Sequence, residues 1–550
     1  MKELFLFVRP PRPLWPFIGP SMSFWPPLAF ASLAGALREA LPDLRVAILD
    51  AAVLQMGWRT LEGEIRRLQP AYVGLGEEAV SCVEGLRLAR LAKAGGARVI
   101  AGGCFFGHVA PQVLATGLVD IVVHGEGEIT IVELVEALRS GAADDLRQVR
   151  GISYDAAAFG RPARDCPPAP LLEPPGLGRD GFHSVSQRQR GRGRNASLPS
   201  SWCQGAESDV VFTGHRPLIA DLDRLPFPAY DLLPVERYGE RSRNHPRFAA
   251  IELSRGCLDA CSFCVLWRQM GHFQGSRVLP RLRAKSPERL IEEVRRLAGR
   301  FHRGYLGWVD PCFNADPRVP AQLAERMLRE NLRLGQSAWV RADGLLRDEA
   351  SGALETCVAA GLNEVYAGIE RPDTAGLEAL HKREDLDQCR RAFRVLAEKY
   401  PQIFIVGSFI YGLPGDTPDT VRRVYRLSLE LDLDKAFFIP LTPLPGTPFW
   451  RPELWDATGR RFRAFSFLPR PTATSPFPEL DRALLACVVR DWRLSRLWGY
   501  WRGLFHSTPR KRRLTGRVFL RSTRFVLRLI RQSILGTGLS HGMLMPKWYE

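Results

Sequence analysis

At 550 residues the chain has room for three to four folding units of about 150 residues each, so a single small module is excluded. Hydrophobic residues at 45%, charged residues at 25% and aromatics at 10% are globular proportions and exclude a disordered or collagen-like chain. The net charge of +17 is uneven: Arg451 to Glu550 hold 20 basic against 6 acidic residues, a net of +14, which leaves +3 for the first 450 residues and makes basicity a property of the tail.

No apolar run reaches the roughly 18 residues needed to cross a bilayer. The N-terminal run Leu4 to Val8 is cut by Arg9, Pro10, Pro11 and Pro13, too early for the apolar core of a signal peptide, so it reads as a first strand and the protein as cytoplasmic. Over residues 1–145, short apolar runs at Leu4 to Val8, Arg45 to Leu49, Ala71 to Gly74, Arg98 to Ala101 and Ile121 to Val123 alternate with helical patterns. These begin near Pro27, Trp58, Val80, Val109 and Ile129. Parallel strands need long crossovers, so this alternation predicts an α/β, doubly wound, Rossmann-like domain with five parallel strands. Ligands of such sheets bind beyond the carboxyl ends of the strands. Those ends carry Gly74, Gly76, Glu77 and Glu78, then Gly102, Gly103 and Cys104, then His124, Gly125, Glu126, Gly127 and Glu128. Any one such glycine can simply make a turn; three glycine loops on one edge suggest a binding surface.

Residues 146–245 read as a linker containing an insertion at 166–216, Pro-rich at Cys166 to Pro170 and Arg/Gly-rich at Gln187 to Arg194, with neither helical nor strand period. A second alternation fills 246–450. Predicted strands are Ala249 to Leu253, Tyr305 to Val309, Gln336 to Val340, Glu364 to Ile369, Ile403 to Ile410 and Lys435 to Ile439. Helices are expected from Ser286-Pro287 onward and over Pro320 to Arg329, Glu349 to Ala360, Arg390 to Glu398 and Thr417 to Leu431. Six β/α units in about 200 residues predict a partial (β/α)6 barrel, since a full eight-unit barrel usually needs about 250. Residues 451–550 form a basic, helical extension.

Of eleven cysteines, three crowd into Cys257, Cys261 and Cys264, just past the first barrel strand, while Cys82, Cys357, Cys389 and Cys487 read as core residues. A lone CxxC admits zinc or redox chemistry. Structural zinc wants four ligands, usually as two separated pairs, and no second pair follows. Three thiolates on a short loop suit a 4Fe-4S cluster with one iron left unligated by protein.

This spacing resembles the radical S-adenosylmethionine (SAM) superfamily, whose C-x3-C-x2-C motif carries an aromatic just before the third cysteine, here Phe263. The resemblance implies that Cys257, Cys261 and Cys264 hold the cluster and that SAM chelates the free iron. Electron transfer would then cleave SAM to a 5′-deoxyadenosyl radical that abstracts hydrogen from substrate. Tyr366-Ala367-Gly368-Ile369-Glu370 resembles that family's G-I-E element, which implies cofactor contact by Gly368 and Glu370, although a buried carboxylate also serves as an ion-pair partner. Phe409 to Thr417 and Leu441 to Pro448 match segments of larger members. With its N-terminal α/β domain the chain resembles the cobalamin-binding class. That implies a corrinoid bordered by Gly74, Gly76, Gly102, Gly103, Gly125, Glu126 and Gly127. Asp50 to Gly57 contains no histidine where mutase-type cobalamin proteins supply one, so the lower ligand of cobalt stays open; His108 and His124 lie on ligand-side loops.

The element order, Trp25-Pro26-Pro27 and the aromatic stretch Trp498 to His506 are similar to the anaerobic magnesium-protoporphyrin monomethyl ester oxidative cyclases and bacteriochlorophyll methyltransferases. The implied activity is C-methylation or oxidative modification of an unactivated carbon in a tetrapyrrole-like or other apolar small molecule, with a flavodoxin or ferredoxin as external electron donor. A cobalamin sensor or carrier, and an RNA-modifying enzyme, are the alternatives. RNA-modifying methylthiotransferases carry three further cluster cysteines in the N-terminal domain, and here only Cys82 and Cys104 are available. In the tail, Val518 to Ile534 sets apolar residues among Arg521, Arg524, Arg528 and Arg531, a pattern that fits peripheral contact with an anionic membrane surface or packing on the barrel.

Overall fold

The structure is a computed structural model that describes residues 3–12, 25–76, 81–141, 143–159, 210–240, 244–274, 277–431, 433–456 and 476–490, with single positions beside them. The first sheet contains β1 (Leu4–Arg9), β2 (Arg45–Asp50), β3 (Tyr72–Leu75), β4 (Arg98–Ala101), β5 (Ile121–Val123), β6 (Ile152–Asp155) and β7 (Val210–Phe212), in the order β2-β1-β3-β4-β5-β6-β7. The five expected strands are present and parallel. Strand order reverses between β1 and β3, which creates the switch point where doubly wound sheets take ligands. Every side chain of β1 is buried, because helices cover both faces. Phe5 and Phe7 enter one core with helix Leu28–Ala40, whereas Leu4, Leu6 and Val8 enter another with helices Trp58–Leu68 and Cys82–Ala94.

The sheet runs past residue 145. β6 pairs antiparallel with β5 and β7 antiparallel with β6, so residues 152–155 and 210–212 belong to this sheet where the sequence reads as linker and insertion. Both are three- or four-residue strands whose partner lies far along the chain, too short for a periodic signal. Residues 166–209 of the insertion lie outside the described residues.

The second sheet matches the six-unit expectation. It contains β8 (Phe248–Ile251), β13 (Tyr305–Trp308), β14 (Gly335–Val340), β15 (Leu362–Glu370), β16 (Phe404–Tyr411) and β17 (Lys435–Pro440), all parallel and in chain order. Between β8 and β13 the chain makes two antiparallel pairs that the sequence does not announce: β9 (Ser254–Cys257) with β12 (Arg281–Ala284), and β10 (His272–Gln274) with β11 (Arg277–Leu279). The helix expected at 349–360 is divided, Ala342–Ala350 and Ala353–Ala359, because Gly352 takes φ +76°. Ser286 caps helix Pro287–Arg295 by accepting from the Arg289 N–H at 3.1 Å, with Pro287 in the first turn as expected. Cys82, Cys357, Cys389 and Cys487 are all buried.

The two sheets share a core. One buried cluster runs from Phe5, Phe7 and Phe30 to Phe248, Tyr305 and Trp308, and the Trp25 ring stands edge-on to Phe248 at 4.8 Å. Arg9, 3% exposed, pairs with Asp50, 0% exposed, at 3.1 Å, and donates to the Trp25 carbonyl at 2.6 Å. The Tyr238 hydroxyl donates to Asp50 at 2.7 Å, joining the segment that leads into β8 to the first sheet. In the extension, helix Pro478–Arg490 packs Leu480, Leu484 and Cys487 on Tyr411, Val421 and Tyr425. Of the tail stretch Val518 to Ile534 only Leu520, which is exposed, is among the described residues. Among the described residues no helix is long and apolar enough to cross a membrane.

Removing one partner from a buried ion pair strands the other charge. Asp50→Ala should therefore lower unfolding free energy by about 3–5 kcal/mol in urea titration, against about 1 kcal/mol for Tyr238→Phe.

Candidate metal centre and the facing sheet edge

β8 ends at Ile251, and β9 leads directly into the loop that carries the three thiols. Gly256 is required there: its φ is +94°, and a Cβ would stand 1.9 Å from the Arg281 carbonyl oxygen across the β9–β12 pair. The buried Asp310 carboxylate accepts from the Leu253 N–H at 3.1 Å and the Ser254 hydroxyl at 2.7 Å, and also from the Ser254 N–H, which fixes the base of the loop. Burial pushes Asp310 up to about 6 against those hydrogen bonds. Further along, the Ser262 N–H donates to the Leu380 carbonyl at 2.9 Å, and the Trp267 indole N–H donates to the Cys261 carbonyl at 2.9 Å.

Cys257, Cys261 and Cys264 are free thiols of intermediate exposure, close enough to influence one another electrostatically. Burial pushes all three up, Cys261 to about 12; Arg341 and Lys382 oppose this at Cys257, as Lys382 does at Cys261. Without metal the loop favours neutral thiols, so loading must expel protons. Among the described residues no three His, Cys, Asp or Glu side chains converge closely enough to share a single ion. In a cubane each thiolate holds its own iron, so three soft donors spread along one loop fit a cluster.

The sequence does not single out the cations beside the thiols. Arg341, just past β14, reaches Asp259 of the thiol loop at 2.6 Å and Asp343 at 2.5 Å. The buried Lys382 pairs with Glu384 at 2.9 Å. Burial opposes the Lys382 charge, and Glu384 and Glu370 nevertheless hold its ammonium above the ordinary lysine range. No spacing rule links residues 341 and 382 to the cysteines; only the barrel brings them together.

Gly368 and Glu370 end β15 in this same neighbourhood. Glu370 takes φ +66°, and a Cβ on Gly368 would stand 2.3 Å from Glu370 Oε1 and 3.3 Å from Lys382 Nζ, so the glycine makes room for this pair. Burial raises Glu370 to about 7, with Lys382 opposing. Phe263 packs against Leu380, Ile410, Leu413 and Leu441, at the end of β16 and the segments that follow β15, β16 and β17.

The carboxyl edge of the first sheet abuts this region. Gly76 has φ +111°, and a Cβ there would lie 2.3 Å from the Gly102 carbonyl oxygen, so those loops touch through bare backbone. Gly74 makes room for the Phe5 and Phe7 rings, and Gly127 for Leu33. Gly103 and Gly125 have φ +78° and +69°, and among the described residues no atom lies within 4 Å of a Cβ placed on Gly125. Glu77 and Glu78 lie outside the described residues.

Glu126, expected at a ligand edge, spends both carboxylate oxygens on protein. Oε1 meets Arg255 at 3.2 Å, and Oε2 meets Arg283 at 2.9 Å and the Ile219 N–H at 2.7 Å. His124 bonds the Ser153 hydroxyl at 2.8 Å, and burial lowers it to about 3, which keeps it neutral. Burial lowers His108 to about 4, and its ring lies so near Gly446, in the loop after β17, that a Cβ there would meet it at 2.7 Å. His215, past β7, stacks on Phe273 of β10 at 3.6 Å.

Residues 251–428 match the family model described as the radical SAM superfamily. The barrel is a radical SAM domain. The chain is 28% identical over 431 residues to an uncharacterized methyltransferase of Pyrococcus horikoshii, covering 77% of this chain and 78% of that protein. It is 25% identical over 472 residues to the anaerobic magnesium-protoporphyrin IX monomethyl ester cyclase of Rubrivivax gelatinosus, covering 84% of this chain and 72% of that one. The radical S-adenosylmethionine methyltransferase TsrM of Kitasatospora setae, solved with cobalamin and a [4Fe-4S] cluster bound, matches with a TM-score of 0.59 at 17% identity over 97% of this chain and 100% of that one. The two share a fold across both sheets. Residues 251–428 thus form a radical SAM domain, in a chain whose similar proteins include a methyltransferase and a cyclase.

In the radical SAM domain Glu370 has a pH signature. The unfolded chain releases this proton near 4.5, whereas the folded protein holds it to about 7, so wild-type stability falls relative to Glu370→Gln as pH rises across that interval. Chemical denaturation of the two proteins at pH 4.5, 6 and 8 should show the gap widening from the first value to the second and again to the third, with no further widening above about 7; parallel stability curves would contradict it.

Proposed function

We propose that this chain is a cobalamin-dependent radical SAM enzyme that methylates, or oxidatively modifies, an unactivated carbon of a tetrapyrrole-like or other apolar substrate. The observation that carries this reading is the apposition of a switch-point sheet edge, bare at Gly76, Gly102 and Gly125, against a three-thiol loop held by Asp310 and Arg341. When bound, the cluster and SAM supply a carbon-centred radical, and the corrinoid supplies a methyl group or assists oxidation.

The chain's own residues have separable tasks in this scheme. Cys257, Cys261 and Cys264 hold iron, and Arg341 and Lys382 offset the charge of their thiolates. Gly368 and Glu370 present the end of β15 to SAM, with Phe263 closing the apolar side. The open space at Gly125 and the neutral, buried His108 and His124 suit an uncharged macrocycle lying along the first sheet's edge. Methylation is preferred because a corrinoid carries methyl groups, and a methyltransferase relative supports it; the cyclase relative supports a tetrapyrrole. A flavodoxin- or ferredoxin-type donor would deliver the electron.

The test is anaerobic reconstitution of the full chain, followed by incubation with reductant, methyl-deuterated SAM and panels of tetrapyrroles and lipids under mass spectrometry. Gain of one labelled methyl is expected; ring closure or added oxygen would move the assignment to the cyclase branch. The triple Cys257→Ala, Cys261→Ala, Cys264→Ala variant should lose cluster iron and SAM cleavage, and a variant that kept both would overturn the cluster assignment. Wild-type protein given hydroxocobalamin should carry corrinoid absorbance through gel filtration, and a colourless protein would remove cobalamin from the scheme.

A further inference from the structure

Arg255 lies two residues before Cys257 on β9, and the β9–β12 register sets it opposite Arg283. Both side chains leave the barrel for the loop after β5. Arg255 reaches Glu126 at 3.2 Å and Glu128 at 2.5 Å while its Nε holds Glu252 at 3.0 Å, and Arg283 reaches Glu126 at 2.9 Å. The side chains of Arg255, Arg283, Glu126 and Glu128 are only 5–8% exposed. Gly125, the residue with open space at the sheet edge, is the immediate neighbour of Glu126.

A buried guanidinium that loses a carboxylate incurs a large desolvation cost, and closely packed elements move together rather than deform. A shift of the 124–128 loop to seat a ligand therefore pulls on the strand that carries the first thiol. We propose that Arg255 is a positioning residue that couples the two sites: seating of a corrinoid at the first sheet's edge changes the affinity of the cluster site for SAM. SAM must then change corrinoid affinity by the same factor. This inference rests on the proposed function, since it needs both ligands.

The test uses full-length, cluster-reconstituted protein without reductant, so that SAM is not consumed. The Kd for SAM is measured by equilibrium dialysis with and without saturating hydroxocobalamin. The Kd for hydroxocobalamin is measured with and without SAM. For wild type both ratios should agree and depart from one by at least about fivefold. Arg255→Met should bring the ratio within about twofold of one, with cluster iron retained, and Arg255→Lys, which keeps a cation there, should fall between. Should Arg255→Met fail to fold, Glu128→Gln decides, with the same loss of coupling expected. A wild-type ratio of one, or a folded, iron-loaded variant with the wild-type ratio, overturns the coupling and leaves the proposed function standing. Wild-type protein that retains no corrinoid overturns both.

Discussion

The architecture depends on burying charge between two sheets. Arg255 and Arg283 carry two positive charges out of the barrel into a space where Glu126, Glu128 and Glu252 already stand, all but Glu252 less than 9% exposed. Such a group is tolerable only when every charge has its partner in place, so a displaced docking of the two modules would be penalised by several kcal/mol per orphaned ion. Arg9, Asp50 and Tyr238 impose the same condition at a second point. Apolar packing from Phe5 to Trp308 supplies the attraction, and the ion groups restrict it to one register.

That register serves the chemistry. The thiol loop sits on an edge pair, β9 with β12, rather than on a strand of the six-stranded sheet, so the residues that fix it come from several places. Asp310 follows β13, Arg341 follows β14, and Lys382 lies beyond β15. Each of these two cations already has a carboxylate partner, Asp259 and Asp343 for Arg341 and Glu384 for Lys382. The cradle thus sets cations beside the thiols while their carboxylate partners keep its net charge small.

Much of this was legible in the sequence where the signal is local. The apolar run Leu4 to Val8 of β1, the six barrel strands and the C-x3-C-x2-C spacing each declare themselves within ten residues. β6, β7 and the two short antiparallel pairs did not, because three- and four-residue strands take their identity from partners elsewhere. The same limit applies to side chains. Cys261 has the local pattern of a ligand through its neighbours, whereas Arg255, Arg341 and Lys382 acquire meaning only when the barrel folds. Glu126 shows the converse: a glycine-flanked acid at the end of a strand has the local pattern of a ligand residue, and both its oxygens go to the other module.

The proposed arrangement has the corrinoid and cluster sites facing one another across the sheet edge. It is tested most directly by pulsed EPR of full-length protein loaded with both groups and reduced so that cob(II)alamin and the cluster are paramagnetic together. Resolved dipolar coupling between the two spins is expected, with loss of that coupling in the triple cysteine variant. Two unperturbed, independent signals from doubly loaded protein would contradict the arrangement.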